Sequence, residues 1–224
     1  MDYTYSIIIA AFATFCLIFG IAFSMVNYQK RYKQKFSIRN MFPFEFNYQA
    51  HFIDNMLGNA FLMFSGLSLI LFYSTFRGSR TDGFTIFILI AAIISTLTIS
   101  SLYFVSTRTL KTWLFFVTIS YGMVFMLISA TGCLHWKYYQ QTHQTLNLVG
   151  FILCCVFALI IFVMAMNPKL SFRVNAKEKE NANPDEPKTY ERPKWIVIAF
   201  TIWMMIFALY LNQIGILLFA ISIS

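Results

Sequence analysis

The chain has 224 residues, 58% of them hydrophobic and only 12% charged, with 26 phenylalanines and a formal charge of +8. A soluble domain carries about 25% charged residues, and one water-soluble core cannot hide this much apolar surface, so the composition excludes an ordinary globular domain. The basic excess lies between apolar runs rather than in one patch, which points to orientation in a bilayer and away from nucleic acid.

Crossing about 30 Å of hydrocarbon takes about 20 helical residues. Runs of that length predict six transmembrane helices at 5–27, 54–76, 83–105, 110–131, 145–166 and 195–220. None carries a central Lys, Arg, Asp or Glu, and none alternates as a membrane strand does. The fold class is therefore all-α, a polytopic membrane bundle forming one integral membrane domain over 1–224.

The first run follows only Asp2 and has no basic n-region, so it reads as a span rather than a signal peptide. Cys16, Gly20 and Ser24 repeat every four residues along it. Such a small-residue stripe suits close helix packing, within the chain or against a homo-oligomer or membrane protein partner.

Residues 28–53 form a basic, aromatic connection. Its Phe36, Phe42, Phe44 and Phe46 are expected at the headgroup layer, with Lys30, Arg31, Lys33, Lys35 and Arg39 near anionic lipid. "HFIDNMLGN" then opens the second run. His51, Asp54, Asn55, Gly58 and Asn59 follow helical spacing and share one face, with Gly58 allowing close backbone approach. They are expected as a polar vestibule, or as a helix cap and interhelical hydrogen bonds.

"RGSRTDG" and "VSTRTLK" close tight hairpins on either side of the third run. That run is rich in hydroxyls, among them Ser95 and Thr98, which marks it as buried in protein. After the fourth run, 132–144 reads as an aromatic and polar outer loop, with Trp136, Tyr138 and Tyr139 as interfacial rings. Its Cys133, His135 and His143 are too few and too poorly spaced to predict a metal. Asn147 begins the fifth run. Residues 167–194 mix both charges and three prolines after position 180, as a charged linker does. Asn212 and Gln213 lie deep in the last run and need hydrogen-bond partners.

The connections at 28–53, 105–110 and 167–194, with Lys111, hold 14 of the 17 Lys and Arg; the opposite side holds Arg77, Arg80 and Lys137. Positive residues stay cytoplasmic. Residues 28–53 and 167–194 are thus expected in the cytoplasm of a multi-pass cell-membrane protein, with both termini extracytoplasmic.

No phosphate loop, zinc motif, nucleophile elbow or haem-attachment motif is present in the sequence, so no cofactor and no metal are predicted. Three functions compete. Polar residues at both ends of the bundle (His51, Asp54, Asn55, Asn59, Ser95, Thr98, Asn147, Asn212, Gln213) favour a small transport protein, or a transporter or channel subunit, for a small solute. The alternative is a non-catalytic structural or assembly subunit of a membrane complex. The third is a lipid-active enzyme with His51 as acid or base and Asp54 orienting it, a weaker reading for want of a nucleophile or metal set.

Overall fold

The computed structural model describes residues 3–39, 41–47, 52–77, 83–104, 110–166 and 193–222. Six long helices appear in order: α1 (Tyr3–Tyr32), α2 (Met56–Arg77), α3 (Gly83–Phe104), α4 (Leu110–Thr142), α5 (Thr145–Met166) and α6 (Pro193–Ser222). All six contain a stretch long and apolar enough to cross a membrane. Two short 3-10 turns, Pro43–Asn47 and Phe52–Asn55, lie between α1 and α2. His51, the hairpin residues 78–82 and 105–109, and the linker residues 167–192 lie outside the described residues.

The expected outer loop at 132–144 is a correction. α4 continues through Thr142, and only His143 and Gln144 join it to α5. Aromatic and glutamine side chains there marked an exit from lipid, but they do not break a helix, and neither proline nor glycine follows Gly132 before α5. What stops α4 is a left-handed cap. His143 has φ 54° and donates its N–H to the Tyr139 carbonyl at 2.8 Å. Lys33 ends α1 the same way, with φ 58° and a 3.0 Å bond to the Gln29 carbonyl. Each bond satisfies a carbonyl that the helix end would otherwise orphan. Lys30 and Arg31 in the last turn of α1 complement its dipole.

The aromatic connection packs its rings into the bundle. Phe36, Met41, Phe42, Phe44 and Phe46 are all buried. Pro43 starts the first 3-10 turn at the position where a missing N–H does no harm. Glu45 reaches back to accept the Phe42 N–H at 3.1 Å, half of a capping box. The rings then stack into the end of the bundle. Phe36 meets Phe46 at 4.3 Å between centroids, and Phe46 meets Trp203 of α6 at 5.8 Å. Two side chains fasten this plug: Trp203 donates its indole N–H to the Met41 carbonyl at 2.8 Å, and Asn47 donates to the Tyr103 carbonyl at 2.8 Å, covering the open end of α3.

Neighbours in sequence pack together from α1 to α5, and α6 inserts among them, touching α1, α3, α4 and α5 and bonding to α2. Its side chains from Ala199 onward are buried on most faces, leaving Phe200, Leu211, Ile214 and Ile221 as an exposed stripe. Close approach of α1 and α2 depends on glycine. A Cβ on Gly20 would lie 3.0 Å from the Leu62 backbone nitrogen, and one on Gly58 would collide with Ser24 Oγ. Both contacts lie within the chain, so the stripe of Cys16, Gly20 and Ser24 is turned to α2, and all three are buried.

Trp203→Phe keeps the ring packing and removes the donor to Met41. It is expected to lower stability by about 1–2 kcal/mol, read as a lower melting temperature of the detergent-solubilised protein with its helical content unchanged.

Candidate functional site

The densest polar cluster surrounds Asn55, at the point where the second 3-10 turn passes into α2. Asn55 Oδ1 accepts from Asn27 Nδ2 at 3.0 Å. Its Nδ2 faces Ser24 Oγ at 3.0 Å and the side-chain oxygens of Asn47 and Asn59, both at 3.2 Å. Two protons thus serve three acceptors, and one side chain ties α1, the plug and α2 together. Residues Phe52–Asn55 wind three per turn rather than 3.6, so the face predicted for 51–59 is split. Asn55, Gly58 and Asn59 turn inward, while Asp54 turns to the rim and pairs with Arg31. With side chains 29% and 46% exposed, that ion pair contributes at most about 1 kcal/mol.

Asn27, Arg31, Phe46, Asp54 and Asn55 enclose about 20 Å³. That is room for about one water molecule, not for a solute. His51, the first residue of the expected vestibule, lies outside the described residues.

The middle of the bundle holds further polar links. Ser65 of α2 donates to the Ala13 carbonyl of α1 at 2.6 Å, so the 2.7 Å contact with Tyr210 of α6 is donated by the tyrosine. Ser120 of α4 donates at 2.8 Å to Thr98 of α3, whose own proton goes to carbonyls of its helix. Asn212 of α6 donates to the Tyr73 hydroxyl of α2 at 2.9 Å. The expected path residues therefore do not share one space. Asn59 faces the Asn55 cluster, Thr98 faces α4, and Asn212 faces Tyr73. Ser95 and Gln213 are buried without a hydrogen-bond partner among the described residues.

At the other end, His135 is fully buried between α5 and α6. Its Nδ1 lies 3.2 Å from the Asn147 side chain, and its Nε2 lies 2.9 Å from the Gly215 carbonyl. Ser222 contacts Asn147 at 2.9 Å and the Phe219 carbonyl at 2.7 Å, with one proton for two acceptors. The atoms that face this cluster are matched if the Asn147 amide presents its nitrogen to it, which leaves the amide oxygen without a partner among the described residues. The NH₂ then donates to His135 Nδ1 and Ser222 Oγ, Ser222 donates to Phe219, and His135 Nε2–H donates to Gly215. Room for the ring comes from Gly150, where any Cβ would fall on the imidazole.

Both His135 nitrogens are thus engaged, Cys133 and His143 are exposed, and no cluster of three or more metal-ligating side chains occurs among the described residues. Sequence reasoning missed Asn27, Asn47, Ser65, Tyr73, Ser120, Tyr210 and Ser222 as partners, and His135 as a core residue. Gly150 was the available signal for a bulky side chain packed against α5.

No protein-family model matches the chain, and no curated protein or solved structure matches it. The all-helical architecture, with six helices long and apolar enough to span a membrane, is consistent with a multi-pass membrane protein.

Gly150→Ala is expected to expel the His135 ring and cost about 2 kcal/mol or more, through overpacking and unpaired buried polar atoms. A melting-temperature comparison checks it; the double variant Gly150→Ala with His135→Ala should recover part of the loss.

Proposed function

We propose that the chain is a small membrane transport protein seen in a closed state, moving a polar solute by helix rearrangement rather than through a standing pore. One observation carries this reading. Asn59 Nδ2, Ser95 Oγ, Thr96 Oγ1 and both amide atoms of Gln213 are buried without hydrogen-bond partners among the described residues. Each such group costs about 1–3 kcal/mol, and a bilayer supplies no bulk water to offset it. A purely structural core would place apolar side chains there. A bundle whose helices part to admit water and solute would use these groups.

The placement of the groups supports the same reading. Asn59 and Gly66 are two turns apart on one face of α2. A Cβ on Gly66 would lie 3.0 Å from Ser100 Oγ and 3.4 Å from Thr96 Cγ2, so only small side chains of α3 fill the place that Gly66 leaves on α2. Gln213 is one turn beyond Tyr210, the α6 residue that reaches Ser65. The unpaired groups thus lie on α2, α3 and α6, in separate contacts that a rearrangement of these helices would have to join. The lopsided distribution of Lys and Arg supports a cell-membrane orientation with residues 28–53 and 167–194 in the cytoplasm and both termini outside.

A second reading, a non-catalytic subunit of a membrane complex, draws on α5. Only 22% of its membrane span is buried, against at least 39% for each of the others. Lipid covers such a helix as well as a partner does, so transport remains the preferred function. The lipid-active enzyme gains no support, since Asp54 is engaged by Arg31.

The test is water access. Single cysteines at positions 59, 96 and 213, in a background with Cys16, Cys133, Cys154 and Cys155 replaced, are exposed to a membrane-impermeant thiol reagent in reconstituted vesicles. A minor open state of about 0.1–10% predicts labelling roughly 10- to 1000-fold slower than that of a control cysteine at exposed position 143, beyond the end of α4. No labelling after the position-143 control is complete would contradict transport.

A further inference from the structure

A crevice of about 190 Å³ opens on the bilayer side of α4, α5 and α6. Its mouth is formed by Leu153, Leu211 and Ile214, all exposed. Its floor is formed by Cys154, Ala208, Asn212 and Gly215, the first three buried. Small residues create it, since Ala208 and Gly215 give α6 no bulk on this face. A Cβ on Gly215 would stand 4.0 Å from Asn212 Oδ1 and 3.8 Å from Cys154 Sγ.

The floor carries one unmet polar demand. Asn212 is 5% exposed; its Nδ2 is bonded to Tyr73, and its Oδ1 has no partner among the described residues. Rotating the amide does not remove the demand. Tyr73 can donate to the oxygen as readily as it accepts from the nitrogen, and the other end of the amide is then left over. A hydroxyl satisfies either orientation, because it donates and accepts. A carbonyl or an ammonium satisfies only one.

We propose that this crevice binds the hydroxyl head of a single-chain amphiphile, such as a long-chain alcohol, entering from the bilayer. The head bonds to the free end of the Asn212 amide, the first carbons fill the space beside Gly215 and Cys154, and the chain leaves between Leu153 and Leu211 into lipid. Size agrees with this occupant. An aliphatic-lined cavity of roughly 150 Å³ takes a benzene-sized guest, so this crevice holds a head and its first few carbons but not a phospholipid headgroup. The site is separate from the Asn59, Thr96 and Gln213 groups and does not depend on transport.

The test uses the full-length protein in phosphatidylcholine nanodiscs and two photoreactive probes: a long-chain primary alcohol with a diazirine near its hydroxyl, and the corresponding alkane. Adducts are mapped by peptide mass spectrometry. The alcohol is expected to label the Leu153 and Leu211 segments about three- to fivefold more than the alkane, the worth of one hydrogen bond. Asn212→Leu should bring the alcohol down to the alkane's level. Leu153→Trp, a substitution at an exposed position that leaves the core intact, should block labelling by either. Equal labelling by the two probes, or alcohol labelling unchanged in Asn212→Leu, would overturn the proposal. So would cross-linking of Leu153 to a second protein chain, which would assign the crevice to a partner helix.

Discussion

Helix α6 stands among the other helices with almost no solvent-driven force to hold it. Lipid tails are as apolar as its own side chains, so burying leucines and phenylalanines does little to favour one neighbour over another. What positions it is close fit and a ladder of polar links along its length. Trp203 holds the plug, Tyr210 meets Ser65, Asn212 meets Tyr73, the Gly215 carbonyl meets His135, and Ser222 meets Asn147. Every other helix is reached directly or through these partners, so the arrangement of the bundle follows from them.

Such links are individually weak. Interhelical hydrogen bonds in membranes contribute about 0.6 kcal/mol each on average, because a separated helix also finds partners. A ladder of weak links holds one arrangement without locking it. The glycine contacts bring helices close: the Leu62 side chain packs on Gly20, and the Ser100 and Thr96 side chains pack on Gly66. The plug differs. Phe36 meets Tyr28 edge-on and packs on Phe46, Phe46 meets Trp203, and Trp203 meets Tyr103, so a chain of rings links α1, α3 and α6 at the Asn55 end. The proposed movement therefore falls more naturally between α2, α3 and α6 at the far end.

The membrane helices were legible because length and apolarity are properties of a run, and α5 has the boundaries its run predicted. The extension of α4 to Thr142 was not, because polarity reports contact with water while helix continuity depends on backbone caps. Only the positive φ at His143 reveals the stop. The plug was misplaced for a related reason. Phe36, Phe42, Phe44 and Phe46 seek any apolar medium, and the sequence alone does not distinguish headgroup-level lipid from the end of a bundle. Among the candidate site residues, Asn59, Asn212 and Gln213 read as needing partners; Asn59 and Asn212 each have one at one end of the amide, and Gln213 has none among the described residues. Which partner a buried polar group meets depends on how helices far apart in sequence pack: Ser65 with Tyr210 spans 145 positions, and nothing local announces it.

The most direct test of a closed, movable bundle is the distance between α2 and α6 measured by paired spin labels on exposed Leu71 and Ile221, with the full-length protein in nanodiscs. The account predicts at least two distance populations, the shorter one corresponding to the closed packing described above. A single narrow population, unchanged across lipid composition and temperature, would contradict it and leave the polar ladder as fixed scaffolding.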